Sequence, residues 1–243
     1  MNISTSTSAT NWLNTATTSN NNVISRLSRP ASILRWFFVL MMFAFAGVNV
    51  NAQSLANYTF GYSNTASLTD MTSGTTVLSG LETGIYRDDN ASAVTNMPIP
   101  FVYMGALQSK FSCNSNGQLR FGTTVIAGTN ITGPAAGISY LTPVAGDNAI
   151  SATGVVHYKV TGSAPNRVMT VSWDSILVPL NSTPATLAGV VQLRLYETSG
   201  VIEYVYGNVY NNSASAAARS IFLCSSNTAT TNGYVTVGAV PTF

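Results

Sequence analysis

The sequence predicts an all-β fold, an antiparallel β-sandwich or jelly roll of about ten short strands. Three observations carry that expectation. Apolar and polar residues alternate with a period of two in many short runs, the mark of strands with one buried face. Clusters of Gly, Pro, Asn and Ser punctuate those runs at short intervals. After residue 52 there is no amphipathic helical stretch and no solenoid or propeller repeat; only Ala214 to Ala218 could make a helical turn.

The clearest stretch is Thr161 to Asn208, with three strand-like runs. In Val168 to Trp173, Met169, Val171 and Trp173 share one side. Val190 to Tyr196 and Val201 to Tyr206 are rich in β-branched and aromatic residues, and Glu197-Thr198-Ser199-Gly200 between them suits a tight hairpin. That loop places Leu195 opposite Ile202, Arg194 opposite Glu203 and Leu193 opposite Tyr204. Val191, Leu193 and Leu195 then share a face with Ile202, Tyr204 and Tyr206. A slip of one residue would oppose apolar to polar throughout. Arg194 and Glu203 read as an exposed cross-strand pair, worth at most ~1 kcal/mol.

The other elements follow in order. Asn57 to Ser63 reads as a first strand and Thr75 to Leu78 as a second, before the polar Tyr86-Arg87-Asp88-Asp89-Asn90. Ile99 to Met104 resumes strand character, and Pro100 suggests an edge or a bulge. Lys110 to Gly122 reads as a hairpin turning at Asn114-Ser115-Asn116-Gly117, where Asn-Gly is a strong signal. Val125 to Ala149 reads as loop. Gly154 to Val160, Ser220 to Cys224 and Gly233 to Val240 complete the set.

The N-terminal region sets the compartment. Met1 to Ser25 is a polar tract of Ser, Thr and Asn; Arg26, Arg29 and Arg35 follow, then the apolar run Trp36 to Val48. Val50 and Ala52 supply the small residues of a cleavage site, so residues 1–52 read as a secretory signal with a long polar leader, cleaved after Ala52. The apolar run is short of the ~20 residues a spanning helix needs, and no membrane span is expected in the mature chain. Residues 53–243 then form a single secreted domain, extracellular or at the cell surface. Of ten basic residues, seven remain there against eight acidic ones, so no basic footprint for nucleic acid exists. A charged fraction of only 7% raises the expectation of self-association.

Asp88-Asp89-Asn90, Phe111-Ser112-Cys113-Asn114-Ser115-Asn116-Gly117, Thr161-Gly162-Ser163-Ala164-Pro165-Asn166-Arg167-Val168, Leu195-Tyr196-Glu197-Thr198 and Val201-Ile202-Glu203-Tyr204-Val205-Tyr206-Gly207 together resemble an N-terminal β-sandwich domain of Bacteroidetes-type secreted surface proteins. The resemblance spans roughly residues 57 to 240. It implies a module placed directly after a signal peptide, in a family whose larger members carry a sorting domain read by the type IX secretion system. Phe243 follows the last strand closely, and no sorting domain is expected here.

No catalytic constellation stands out, and no enzyme activity is expected. His157 is the single histidine, on the strand face opposite Val156 and Tyr158, a solvent-facing position without the partners a zinc site needs. No nucleophile-elbow sequence supports a Ser-His-Asp arrangement. Asp88, Asp89 and Asn90, joined by Asp147, offer hard oxygen ligands for calcium; such residues also bond their own backbone in turns. Trp173 and Tyr86 are the aromatic candidates for stacking on a sugar, although at strand spacing such rings more often pack in a core. A disulfide between Cys113 and Cys224 would close a loop of ~110 residues and contribute ~4–5 kcal/mol on the chain-entropy model; the alternative is two buried thiols. The expected function is adhesion or recognition. The alternatives are calcium-assisted carbohydrate binding and a self-associating surface subunit. The expected partner is an extracellular glycan or a cell-surface protein.

Overall fold

The computed structural model describes residues 58–79, 86–131, 138–180, 187–210, 219–224 and 234–240. The chain divides into two units, Met1–Asn51 and Ala52–Phe243, and every described residue belongs to the second. Twelve strands form among them: β1 (Thr75–Ser79), β2 (Tyr86–Arg87), β3 (Thr95–Tyr103), β4 (Ala106–Cys113), β5 (Leu119–Phe121), β6 (Tyr140–Thr142), β7 (Ala149–Thr161), β8 (Val168–Leu177), β9 (Gly189–Tyr196), β10 (Ile202–Tyr206), β11 (Arg219–Cys224) and β12 (Tyr234–Val240). They make two antiparallel sheets packed against each other as a β-sandwich. Sheet 1 runs β1-β7-β8-β9-β10 with β2 also on β7, and sheet 2 runs β12-β11-β6-β5-β4-β3.

Side-chain alternation explains the packing. From sheet 1, Val156, Met169, Val171, Trp173, Leu193 and Leu195 point inward; from sheet 2, Phe101, Phe111, Leu119, Leu141 and Leu223 meet them, all essentially without exposure. Phe111 meets Tyr158 edge to face at 5.6 Å between ring centroids, an aromatic contact between the layers. Tyr204 and Tyr206 of β10 reach across to donate their hydroxyls to the carbonyls of Phe222 (3.2 Å) and Pro143 (2.6 Å). Burial raises the pKa of both phenols, which therefore stay neutral donors.

The β9–β10 hairpin has the register that alternation dictates, Leu195 with Ile202, Arg194 with Glu203 and Leu193 with Tyr204. Arg194 Nη1 lies 3.1 Å from Glu203 Oε2. The pair is not freely exposed, because a strap, Ser67 to Gly74, crosses the outer face of sheet 1. Arg194 donates to the Ser67 carbonyl and Lys159 to that of Asp70. Gln192 clasps the main chain of Thr69, accepting from its N–H at 2.8 Å and donating to its carbonyl at 2.9 Å. His157 lies on this face, as expected, but under the strap: its side chain is only 12% exposed.

Part of the outer face of sheet 2, at β6 and β11, is also covered. Outside it, Ile126, Tyr140, Phe222 and Cys224 form a second core, with Ile131 and Ile138 packed against it.

Three expectations need correction. Tyr58 to Ser63 forms no strand, because no neighbouring strand pairs with it, and it lies mostly exposed; Asn57 lies outside the described residues. Within the stretch read as loop, Tyr140–Thr142 is the strand β6, paired with both β5 and β11. The outcome for Ala214 to Ala218 lies outside the described residues. Cys113 and Cys224 are both buried and are not joined to each other. Cys113 faces the inter-sheet core and Cys224 the second core, on opposite sides of sheet 2. The pairs Cys113–Leu119, Leu119–Leu141 and Leu141–Leu223 also separate them by three strand spacings, ~14 Å at ~4.8 Å each, twice the reach of a disulfide.

β3 is the edge strand that Pro100 suggested, and Pro98 and Pro100 remove two backbone donors from it.

Candidate functional site

The acidic loops meet at one end of the sandwich. Asp88, Asp89 and Asp147, 59 residues apart at the extremes of the group, bring one carboxylate oxygen each within 4.8 Å of one another. Asp89 adopts a left-handed conformation (φ 47°), and its N–H donates to Asp88 Oδ1 at 2.8 Å. That turn aims successive acidic side chains at the same space. Asn90 anchors the loop from below: its N–H donates to Ser115 Oγ (3.0 Å), and its carbonyl accepts from the Ser115 N–H (2.8 Å).

Ser115 belongs to a turn that holds the whole end together. Asn114, Ser115, Asn116 and Gln118 are all fully buried, an unusual place for so polar a run. Each amide is spent on neighbouring loops. Asn114 Nδ2 donates to Gln118 Oε1 (2.9 Å) and to the Ala127 carbonyl (3.1 Å). Gln118 Nε2 donates to the Ile131 carbonyl (2.7 Å). Asn116 Nδ2 donates to the Gly128 carbonyl (2.9 Å), while its Oδ1 accepts from the Asn148 N–H (2.7 Å). Gly128 in turn lies so close under the Asp89 carbonyl that a Cβ there would fall 2.0 Å from it. Asn116 is thus a direct link from the loop of Asp89 to the loop of Asp147.

Asp147 is fixed on its other side. Its carbonyl accepts from the Leu180 N–H at 2.8 Å. The Arg219 guanidinium packs against Gly146, 2.9 Å from where a Cβ would sit. Burial lowers the Arg219 pKa, and the nearby Asp147 carboxylate acts in the opposite sense. The loop end therefore combines three carboxylates with one partly buried cation.

Trp173 is not at this surface. It is fully buried, and its indole N–H donates to the Asn114 carbonyl at 2.8 Å, so it supports the polar turn from within and offers no ring face to a ligand. Tyr86 lies half-buried on β2, two residues before Asp88, where it pairs with Ser151.

His157, Ser172 and Asp174 do come together on the outer face of sheet 1, but in an order unlike that of an acyl-transfer triad. Asp174 sits in the middle, 2.8 Å from His157 Nε2 and accepting the Ser172 hydroxyl on its other oxygen. The hydroxyl is directed to the carboxylate, away from the imidazole, and Ser172 is fully buried.

Sequence reasoning found the three aspartates from their residue type alone. It missed Asn116, Gly128 and Arg219, whose roles arise from contacts between loops. No local pattern announces them; the Asn-Gly pair marks only the turn.

A family model described as NIDO related matches residues 57–242, well over half of the chain. No curated protein and no solved structure matches it. Among the described residues no helix is long and apolar enough to cross a membrane. The chain belongs to the NIDO-related family, a family of extracellular-type domains.

Proposed function

We propose that the protein is a non-enzymatic, secreted or surface-exposed recognition and adhesion module whose acidic loops bind calcium. The observation that carries the calcium reading is the convergence of Asp88, Asp89 and Asp147 within 4.8 Å. Calcium takes oxygen ligands at 2.3–2.6 Å, so oxygens on one ion lie no more than ~5 Å apart. The donor set, all hard carboxylate oxygen, fits that ion. Bound there, calcium would tie the Asp88–Asp89 loop to the Asp147 loop and neutralise their mutual repulsion. Arg219 beside Asp147 opposes a second cation, which puts the affinity in the ~10⁻⁴–10⁻³ M range of extracellular modules. The order of a basic segment, an apolar run and small residues before Gln53 supports export.

Thermal unfolding in millimolar calcium and in chelator tests the ion. With free calcium at ten times its Kd, the stabilisation is ~1.4 kcal/mol, and Asp89→Asn abolishes the shift. An identical melting temperature with and without calcium in the natural protein, or an undiminished shift in Asp89→Asn, overturns the calcium reading. The partner is an extracellular glycan or a cell-surface protein. Self-association by strand addition would use a sheet edge such as β10; Pro98 and Pro100 disfavour it at β3.

A further inference from the structure

We propose that a groove at the end of the sandwich remote from the acidic loops is a binding subsite for a neutral saccharide unit. The inference rests on reading the protein as an extracellular recognition module and names a ligand class for it. β8 fixes the geometry: its start at Val168 follows Arg167, whose carbonyl accepts from Glu197 of the β9–β10 turn, and its end at Leu177 pairs with Ala149, two residues from Asp147. The groove opens at the first of these ends. It encloses about 270 Å³ between Tyr58, Thr59 and Phe60 on one side and Ser199 and Val201 on the other, with the buried Leu223 also lining it.

The lining selects the class of ligand. Among the described residues no Asp, Glu, Lys, Arg or His borders the groove, so a phosphate, carboxylate or ammonium group would lose its hydration there without a compensating partner. Phe60 and Val201 are 46% and 49% exposed, and Tyr62, beside Phe60 in the chain, is 98% exposed, so apolar surface stands open at this end. Thr59 and Ser199 add hydroxyls, and the left-handed Gly200 has no atom within 4 Å of where a Cβ would be, which leaves space at the rim. A pyranose ring presents an apolar C–H face and an edge of hydroxyls, and so uses both kinds of wall. The volume lies just below the ~300 Å³ at which drug-sized pockets begin, which suits one ring.

The test is an array of neutral hexose and N-acetylhexosamine glycans, with sialylated and sulfated glycans as a second arm, probed with the secreted protein in chelator. Saturable binding to neutral glycans is expected. It should weaken at least tenfold in Phe60→Ala and in Ser199→Trp, each of which should keep the natural melting temperature because the position is exposed. Binding that survives both groove variants overturns the groove while leaving the recognition reading intact. Binding confined to anionic glycans overturns the neutral class. Binding to no glycan overturns the proposal; retained binding to a cell-surface protein in that case would show that the recognition reading stands without it.

Discussion

The chain reverses direction twice with similar chemistry, at Asn114-Ser115-Asn116-Gly117 and at Glu197-Thr198-Ser199-Gly200, and the two reversals live in opposite surroundings. The second is an ordinary surface turn: Thr198 and Ser199 are exposed, and an added Cβ at Gly200 would meet nothing. The first is fully buried, and an added Cβ at Gly117 would fall 2.7 Å from Val144 Cγ1 and 3.1 Å from Ile176 Cδ1. Asn and Ser serve in both as residues that bond backbone. In the surface turn such bonds compete with water; in the buried one they replace it, and each unpaired group would carry its full desolvation cost. Similar letters therefore specify a shape in one place and a structural hub in the other.

The largest expected effect separates the two glycines. Gly117→Ala should cost about 4 kcal/mol, combining a left-handed alanine with overpacking, whereas Gly200→Ala should cost about 1 kcal/mol from conformation alone. Urea unfolding of both variants measures the gap, and equal losses would erase the distinction between the turns. Asn116→Ala comes next. It removes the side-chain partners of the Gly128 carbonyl and the Asn148 amide, and should lower stability by about 2–3 kcal/mol; a loss below about 1 kcal/mol would mean that water takes over both bonds.

Acid should act on the surface turn instead. Arg167 grips the Glu197 carboxylate with Nε at 2.8 Å and Nη2 at 2.5 Å, and these bonds hold its pKa down to about 2 from an ordinary 4.5. Because the folded value is the lower one, the contribution is complete above pH 4.5 and fades as pH falls toward 2. Denaturant midpoints between pH 6 and 2 should therefore drop less steeply in Glu197→Gln than in the natural protein. Parallel curves would remove the pair from the stability of the turn. The buried turn carries no ionisable side chain, so its own hydrogen bonds do not titrate in this range.

What could be read in the sequence follows from how local each signal is. The β9–β10 register was legible because two long alternating runs flank one short turn, and only one pairing keeps apolar residues together. Tyr140–Thr142 was not, since three residues before a proline show no period, and β5 and β11 give them their strand character. The cysteines misled because Phe222 looks like an inward residue; β11 is covered on both faces, so an aromatic there no longer tells which side is the core. The three aspartates were visible as ligand types, but their meeting depends on Asn116, Gly128 and Asn148, which join loops far apart in the chain. The catalytic-looking residues His157, Ser172 and Asp174 likewise needed coordinates to show which of them touch.

The strap across sheet 1 has an evolutionary consequence. Arg194, Gln192 and Lys159 bind the carbonyls of Ser67, Thr69 and Asp70, and Gln192 also takes the Thr69 N–H. These are main-chain groups that every amino acid except proline shares in full. Leu68, which packs against Gly207, and the buried Met71 are the large apolar side chains of the strap. The seat thus demands particular residues on the sheet and few on the strap. Among descendants of this chain, positions 67, 69 and 70 are free to diverge while 159, 192 and 194 are constrained, so variation can accumulate on one outer surface without loosening the fold beneath it.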